Sequence, residues 1–457
     1  MTLRFGTDGV RGVANRELTP ELVTALGRAA VRVLGANEPF VVGRDTRRSG
    51  PMVEAALVAG LCAEGADVVL TGVLPTPGIA YVARERGAPA AVISASHNPF
   101  TDNGIKLFAA GGRKIPEALE SEVERELREL AMAPPEPGPE GVGVGVSSEH
   151  RSALDDYVAS LVDALQGRQL TGLHVVVDCG NGAAFRAAPT ALRALGATVD
   201  VVHASPDGVN INAECGSTHP GDLQEAVLVA RADAGLAFDG DADRVIAVNE
   251  RGALVDGDEI LMVTALDLHD RKLLRGDAVV ATVMSNLGLR RALAPYGITV
   301  VETPVGDRNV LDVLEQRNLT LGGEQSGHVI FADHATTGDG TLTGIFLLDI
   351  MARRGRSLSE LASVLERVPQ ILRNVAVDGA DSLRSDAAFW SRVRDVDDEL
   401  GDDGRVLVRP SGTEAVVRVM VESTDADAAT EAADRLVELV EYAAGVGVSY
   451  GRQGVPE

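Results

Sequence analysis

The chain has 457 residues, 45% of them hydrophobic but only 3% aromatic, with a formal net charge of −25. That length holds roughly three or four domains, whose cores must be built from Ala, Val and Leu. The negative balance excludes nucleic acid and anionic membranes as general partners, since a phosphate backbone is bound by clustered Lys and Arg.

The opening Phe5-Gly6-Thr7-Asp8-Gly9-Val10-Arg11-Gly12 is glycine-rich and carries a hydroxyl and an arginine. Glycines let backbone N–H groups approach an anion, although a plain turn would read the same. Thr19-Pro20-Glu21 predicts a helix start, with an N-cap, proline in the first turn and an acid at the positive end. Then a pattern begins. Strand Phe40–Gly43 leads to a helix through Met52–Ala63, strand Ala66–Leu70 to a helix through Ile79–Arg86, and a third strand follows at Ala90–Ile93. These apolar strands are of the buried kind found in parallel sheets. The third runs into Ser94-Ala95-Ser96-His97-Asn98-Pro99, with Asp102-Asn103-Gly104-Ile105-Lys106 close behind, a stretch rich in turn residues. Ser96 thus sits where a buried strand ends, the usual place for ligand chemistry in an open α/β sheet. Its surroundings are not a Gly-x-Ser-x-Gly acyl-transfer elbow; they offer donors and a cation suited to a phosphoryl group.

The same order recurs twice. Strands Leu173–Val177, Ala197–Val202 and Ala234–Phe238 alternate with helices, and the third ends in Asp239-Gly240-Asp241-Ala242-Asp243-Arg244. Strands Ala278–Val283, Ile298–Val301 and Leu319–Leu321 do likewise, and the third ends in Gly322-Gly323-Glu324-Gln325-Ser326-Gly327-His328. Repeated modules with a polar loop after the corresponding strand predict one composite site where they meet. The Pro/Gly run at 133–145 separates the first two modules and cannot form a core element. It neither follows a strand nor opens a helix, and Gly180-Asn181-Gly182 is followed by Phe185 where a third glycine belongs. A dinucleotide site is therefore rejected, and no P-loop motif occurs. The last part changes character. Strands Asn374–Val377, Arg405–Val408 and Ala415–Val421 and helices through 387–400 and 426–444 predict a smaller α+β domain with an antiparallel hairpin. Its turn, Arg409-Pro410-Ser411-Gly412-Thr413-Glu414, together with Arg418, makes a phosphate cradle.

The expected fold class is α/β: three similar mixed, mainly parallel modules plus a smaller C-terminal α+β domain, with the active site at their junction. The expected divisions are 1–148, 149–252, 253–368 and 369–457.

Asp239, Asp241 and Asp243 alternate, so an extended segment would put all three carboxylates on one side. Three such groups repel one another unless a cation neutralises them, and an all-oxygen set suits Mg²⁺, or Mn²⁺. The charges then set a requirement. Three aspartates and a phosphoserine of about −2 leave a balance near −3 after one divalent cation. Arg244, Lys106 and Arg11 are the local cations to meet it. The chain has only three lysines, Lys106, Lys114 and Lys272. Its three cysteines, Cys62, Cys179 and Cys215, are far apart, and no pair has metal-ligand spacing, which favours a reducing, cytoplasmic setting. No apolar run approaches the ~20 residues of a membrane span, and the N-terminus lacks a signal-peptide core.

The loops Ser94–Pro99, Asp239–Arg244, Gly323–His328 and Arg409–Glu414, in that order and one per domain, resemble the four signature loops of the α-D-phosphohexomutases. The opening loop, Gly323-Glu324-Gln325-Ser326-Gly327-His328 and Val305-Gly306-Asp307-Arg308 resemble the bacterial branch acting on glucosamine phosphates; the mannose/glucose branch usually has Met in place of Gln325. The resemblance implies that Ser96 carries the phosphoryl group and completes a Mg²⁺ shell with Asp239, Asp241 and Asp243. It implies Lys106 and His328 for proton transfer, with Arg11 and Arg244 as supporting cations. Glu324 and Ser326 would hold sugar hydroxyls, and Arg409, Ser411, Gly412, Thr413 and Arg418 the non-reacting phosphate. A sugar phosphate is the expected partner and a hexosamine or hexose 1,6-bisphosphate the activator; the sequence leaves open whether the enzyme is a homodimer.

Overall fold

Each of the first three modules builds its sheet on parallel strands and then turns the chain back on itself. The computed structural model describes residues 9–132, 137–377, 380–410 and 416–444. In the first sheet the strand order is Val10–Val13, Asp102–Ala109, Ala90–Ile93, Phe40–Arg44, Val68–Val73 and Ser147–Glu149, with the short Arg113–Lys114 beside Asp102–Ala109. Phe40–Arg44 pairs in parallel with both Val68–Val73 and Ala90–Ile93, whereas Asp102–Ala109 runs antiparallel to Ala90–Ile93. The second sheet repeats this: His174–Asp178 lies between the parallel Thr198–Val202 and Ala234–Phe238, and Val245–Asn249 returns antiparallel to the latter. The third does so with Ala278–Thr282, Thr299–Thr303 and Leu321–Gly323, and with Val329–Phe331 as the return.

The return strand is absent from the sequence reading, and its consequence is functional. The three polar loops, 94–101, 239–244 and 324–328, are the connections between a buried parallel strand and its antiparallel neighbour, so both ends of each loop are anchored in a sheet. Lys106 therefore stands on a strand, paired opposite Val92, and not in a turn. The cores are aliphatic, as the composition demands; Val23, Leu26, Leu57, Leu61 and Ile93 are fully buried between the first sheet and its helices.

The chain packs as two units, Met1–Met284 with Tyr296–Val364, and Ser285–Pro295 with Leu365–Glu457. The second unit holds a three-stranded antiparallel sheet in the order Gln370–Ala376, Val416–Ser423, Gly404–Pro410. It also takes helix Leu287–Leu293 from the third module. The buried carboxylate of Glu422 makes that tie, accepting hydrogen bonds from Asn286 Nδ2 (3.0 Å), Leu287 N (2.9 Å), Gln370 Nε2 (2.8 Å) and Arg405 Nε (2.6 Å). A buried charge is tolerable when satisfied this completely. Among the described residues no helix is long and apolar enough to cross a membrane.

A second buried carboxylate joins two helices of the first unit. Asp339 caps helix Gly340–Arg354, accepting from Leu342 N at 2.9 Å, and both its oxygens lie 2.9 Å from the Tyr157 hydroxyl of helix Ala153–Asp163. Burial pushes Asp339 up to about 6, against the opposing hydrogen bonds from Leu342 and Tyr157. The folded state thus binds this proton more tightly than the unfolded chain. Its contribution to stability is whole below the unfolded carboxylate range and is lost as pH rises through about 6. Asp339→Asn keeps the cap and the acceptor for Tyr157 without the charge. Relative to wild type, urea unfolding should find the variant gaining about 2 kcal/mol between pH 4 and pH 7; a pH-independent difference would refute burial as the cause.

Candidate active site

Ser96, in the loop after strand Ala90–Ile93, has a left-handed conformation (φ 51°), rare for a residue with a side chain, so something must hold it there. The holder is Arg47, buried with its partner Asp45. Arg47 Nη2 donates to the carbonyls of Ser96 (2.9 Å) and Asn98 (2.8 Å), and Nη1 to those of Pro99 and Asp102. Its Nε donates to Asp45 at 2.8 Å. Asp45 also accepts from the Ser94 hydroxyl (2.6 Å), whose oxygen in turn receives the Ser96 N–H (2.9 Å). From the second module, Asn212 Nδ2 donates to the same Ser96 and Asn98 carbonyls at 2.8 and 3.2 Å. Gly240 lies so close that an added Cβ would stand 2.5 Å from the Ser96 carbonyl oxygen, which explains glycine between the first two aspartates.

The Ser96 hydroxyl donates to Asp239 Oδ2 at 2.6 Å. Asp239, Asp241 and Asp243 are each buried, and one carboxylate oxygen from each lies within 4.8 Å of the others. They converge differently from the expectation. The segment is a turn, closed by the Ala242 N–H on the Asp239 carbonyl (3.1 Å) with Ala242 left-handed, rather than an extended strand end. A curled backbone lets three side chains point at one spot. Lys106 Nζ reaches Asp241 (2.9 Å) and Asp243 (3.2 Å), and the Thr76 hydroxyl donates to Asp241 at 2.6 Å. Burial first, then Asp243 and Asp241, push Asp239 well above the usual carboxylate range, opposed by Arg244 and the Ser96 hydroxyl. Asp241 Oδ1 is buried without a hydrogen-bond partner among the described residues. Converging buried carboxylates, one with an orphaned oxygen, fit a hard divalent cation, which would supply the missing neutralisation.

The third module is laced to the second: Val245 N donates to the Gly327 carbonyl (3.1 Å) and Gly340 N to that of Ala242 (3.1 Å), while Gly257 N holds the Gln325 carbonyl (3.0 Å) within the third module. Glu324 is buried and accepts from Gly306 N at 3.0 Å, while Ser326 is exposed. His328 is buried; its Nε2 accepts from Gly338 N (3.3 Å) and lies 3.7 Å from Asp307, and its Nδ1 has no hydrogen-bond partner among the described residues. Asp307 is held by Lys114, and Arg308 pairs with Glu120 through two bonds of 3.0 and 2.5 Å, so the first and third modules are tied beside the site. Arg11 Nη1 reaches the Ala95 carbonyl and Asn98 Oδ1, both at 3.4 Å. Arg244 borders Asp243, at 3.8 Å, and His97, at 3.5 Å.

In the second unit, Arg409 and Arg418 are exposed and directly opposite across the antiparallel pair. Like charges so placed repel, and a bound anion relieves the repulsion. Ser411, Gly412 and Thr413 lie outside the described residues.

The structure therefore brings Ser96, the three aspartates, Lys106, Arg11 and Arg244 into one network, with the Glu324–His328 loop laced to it. Sequence reading passed over Asp45, Arg47, Thr76 and Asn212. The polar turn after strand Phe40–Arg44 was the available signal for the first two.

Four family descriptions match in succession: phosphoglucomutase/phosphomannomutase alpha/beta/alpha domain I over residues 2–133, domain II over 155–252, domain III over 256–368 and the C-terminal domain over 357–439. The chain belongs to the phosphoglucomutase/phosphomannomutase family, the α-D-phosphohexomutases. It is 52% identical over 427 residues to a phosphoglucosamine mutase of Moorella thermoacetica, covering 92% of this chain and 95% of that one. A phosphoglucosamine mutase of Streptomyces avermitilis is 50% identical over 449 residues, 96% and 99% of the two chains. Among solved structures, a phosphoglucomutase/phosphomannomutase family protein of Burkholderia thailandensis superposes with a TM-score of 0.83 at 30% identity, covering 97% of this chain and 98% of that one. N-acetylphosphoglucosamine mutase of Aspergillus fumigatus, with GlcNAc-6P and magnesium, shares the fold at a TM-score of 0.70 and 17% identity, over 97% of this chain and 96% of that one.

The clamp on the serine loop is testable apart from turnover. Arg47→Leu leaves Asp45 buried and unpaired and should lower unfolding free energy by about 3–5 kcal/mol. Asn212→Ala should lower it by about 1–3 kcal/mol. Equal, small losses in denaturant titrations would contradict the assignment of Arg47 as the main holder.

Proposed function

We propose that this chain interconverts glucosamine 6-phosphate and glucosamine 1-phosphate through a phosphoserine at Ser96 and a glucosamine 1,6-bisphosphate intermediate, supplying UDP-N-acetylglucosamine synthesis in the cytoplasm. The observation that carries the reading is the Ser96 hydroxyl 2.6 Å from Asp239 at the meeting of two modules, in a chain about half identical to phosphoglucosamine mutases throughout. The four-part division at 148/149, 252/253 and 368/369 belongs to the same proposal.

In the first half-reaction a sugar hydroxyl oxygen attacks the phosphorus on Ser96. The new P–O bond forms as the Ser96 Oγ–P bond breaks, and the hydroxyl proton passes to a basic side chain, with Lys106 and His328 as the candidates. The bisphosphate then turns end for end and its other phosphoryl group returns to Ser96. Phosphoryl transfer needs positioning and charge neutralisation more than covalent help. Arg47 and Asn212 position Ser96, while Lys106, Arg11 and Arg244 neutralise. Mg²⁺, held by Asp239, Asp241, Asp243 and the Ser96 phosphate, would supply charge stabilisation at the transferring group. Glu324 and Ser326 orient the sugar, and Arg409 and Arg418, with Ser411, Gly412 and Thr413, hold the other phosphate. A hexosamine or hexose 1,6-bisphosphate would act as activator by phosphorylating resting Ser96.

Intact mass spectrometry should find a phosphate adduct on wild type and none on Ser96→Ala, with turnover abolished; retained turnover would end the phosphoserine role. In a kinetic panel of glucosamine, glucose and mannose phosphates, kcat/KM should favour glucosamine by about tenfold or more; an equal or reversed order would assign the chain to the phosphomannomutase/phosphoglucomutase type. Arg409→Ala and Arg418→Ala should each weaken kcat/KM about ten- to hundredfold, and an unchanged value would remove them from the phosphate site.

A further inference from the structure

The C-terminal edge of the second sheet carries another constellation besides the aspartate triad. Asp178 ends the strand His174–Asp178, and His203 follows the neighbouring strand Thr198–Val202, in register with it. Cys215 comes from the long loop after it. One ligating atom from each of Asp178, His203 and Cys215 lies within 4.8 Å of the others, and Asp178 and Cys215 are fully buried.

The ion-pair contacts around His203 show what the cluster asks for. Its Nε2 lies 3.2 Å from Asp222 Oδ2, a carboxylate able to hold the ring proton. With the proton so placed, Nδ1, which is buried and has no hydrogen-bond partner among the described residues, turns its lone pair toward Asp178 Oδ1 at 3.2 Å. Two lone pairs at that distance repel unless a positive centre lies between them. The Cys215 sulfur receives a long contact from Asn181 Nδ2, at 3.9 Å. Asp178 is oriented by the N–H groups of Gly180 (2.8 Å) and Gly216 (2.9 Å) on its two oxygens. An oriented carboxylate, a thiol, and an imidazole whose far nitrogen is tied to a second carboxylate form the ligand and outer-shell pattern of a zinc-class site.

We infer that Asp178, His203 and Cys215 bind a divalent ion of the zinc class, separate from the magnesium site, with Asp222 as the outer-shell partner of His203. On binding, the sulfur–metal bond forms as the thiol proton leaves to solvent. The ion pins the loop that carries Asn212, and so supports the Ser96 clamp from behind without touching substrate. The competing occupant of the gap is a proton, making His203 an imidazolium bridging Asp178 and Asp222.

The full-length chain, stripped with chelator and desalted, is titrated with Co²⁺ in excess Mg²⁺ to keep the aspartate triad filled. Expected is one equivalent bound, with a thiolate-to-cobalt charge-transfer band that disappears in Cys215→Ser and in His203→Asn. Because Cys215→Ser alters a buried position, Asp222→Asn, at an exposed one, is the second probe. It should keep the band and weaken Co²⁺ affinity about ten- to hundredfold. No band in wild type, a band that survives both ligand variants, or unchanged affinity in Asp222→Asn would overturn the site; the first of these is the result expected of a bridging proton.

Discussion

Three carboxylates buried side by side are what the rest of this structure has to accommodate. Left in a low-dielectric pocket, their mutual repulsion and lost hydration would favour protonation, as the upward push on Asp239 shows. The fold answers with Lys106 on two of them, the Ser96 and Thr76 hydroxyls as donors, and a geometry open to a divalent cation. The same arrangement makes the site useful. A pocket that holds negative charge only with the help of cations can receive a phosphoryl group once those cations are shared, and release it when the balance tips.

The module topology explains how such a site is assembled from distant parts of the chain. A parallel strand followed by an antiparallel return gives each polar loop two fixed ends, so the loop can adopt strained backbone without unravelling. Ser96 and Ala242 both sit in the left-handed region in such loops. Cross-module hydrogen bonds then fix one module against another: Asn212 to Ser96, Gly340 to Ala242, Val245 to Gly327. Positioning to a fraction of an ångström is what phosphoryl transfer requires.

Buried arginine does as much here as buried acid. Arg47 directs its donors to backbone carbonyls of the serine loop, with Asp45 to balance its charge. Glu422 plays the mirror part in the second unit, an anion saturated by donors that pull helix Leu287–Leu293 onto the sheet. In both cases one long or charged side chain replaces several ordinary contacts, which suits cores poor in aromatic rings.

The polar loops at the strand ends were legible because their composition breaks the surrounding apolar pattern, and the threefold recurrence told where to look. Ser96, Asp239–Asp243 and Glu324–His328 could be named from local sequence. The curl of the aspartate loop could not, since alternation fits both a strand and a turn whose backbone passes through the left-handed region. Nor could the Asp178–His203–Cys215 cluster, whose members are spread over almost forty residues with no ligand spacing. Sequence by itself determined the modules, the apolar strands and the residue types at each strand end, because those depend on periodicity and turn chemistry within a few residues. Only tertiary structure decided that Lys106 faces the aspartates, that Arg47 and Asn212 hold the serine, and which helix joins the second unit. Those are contacts between segments far apart in the chain, selected by the need to pair each buried charge and each buried carbonyl once the sheets have packed.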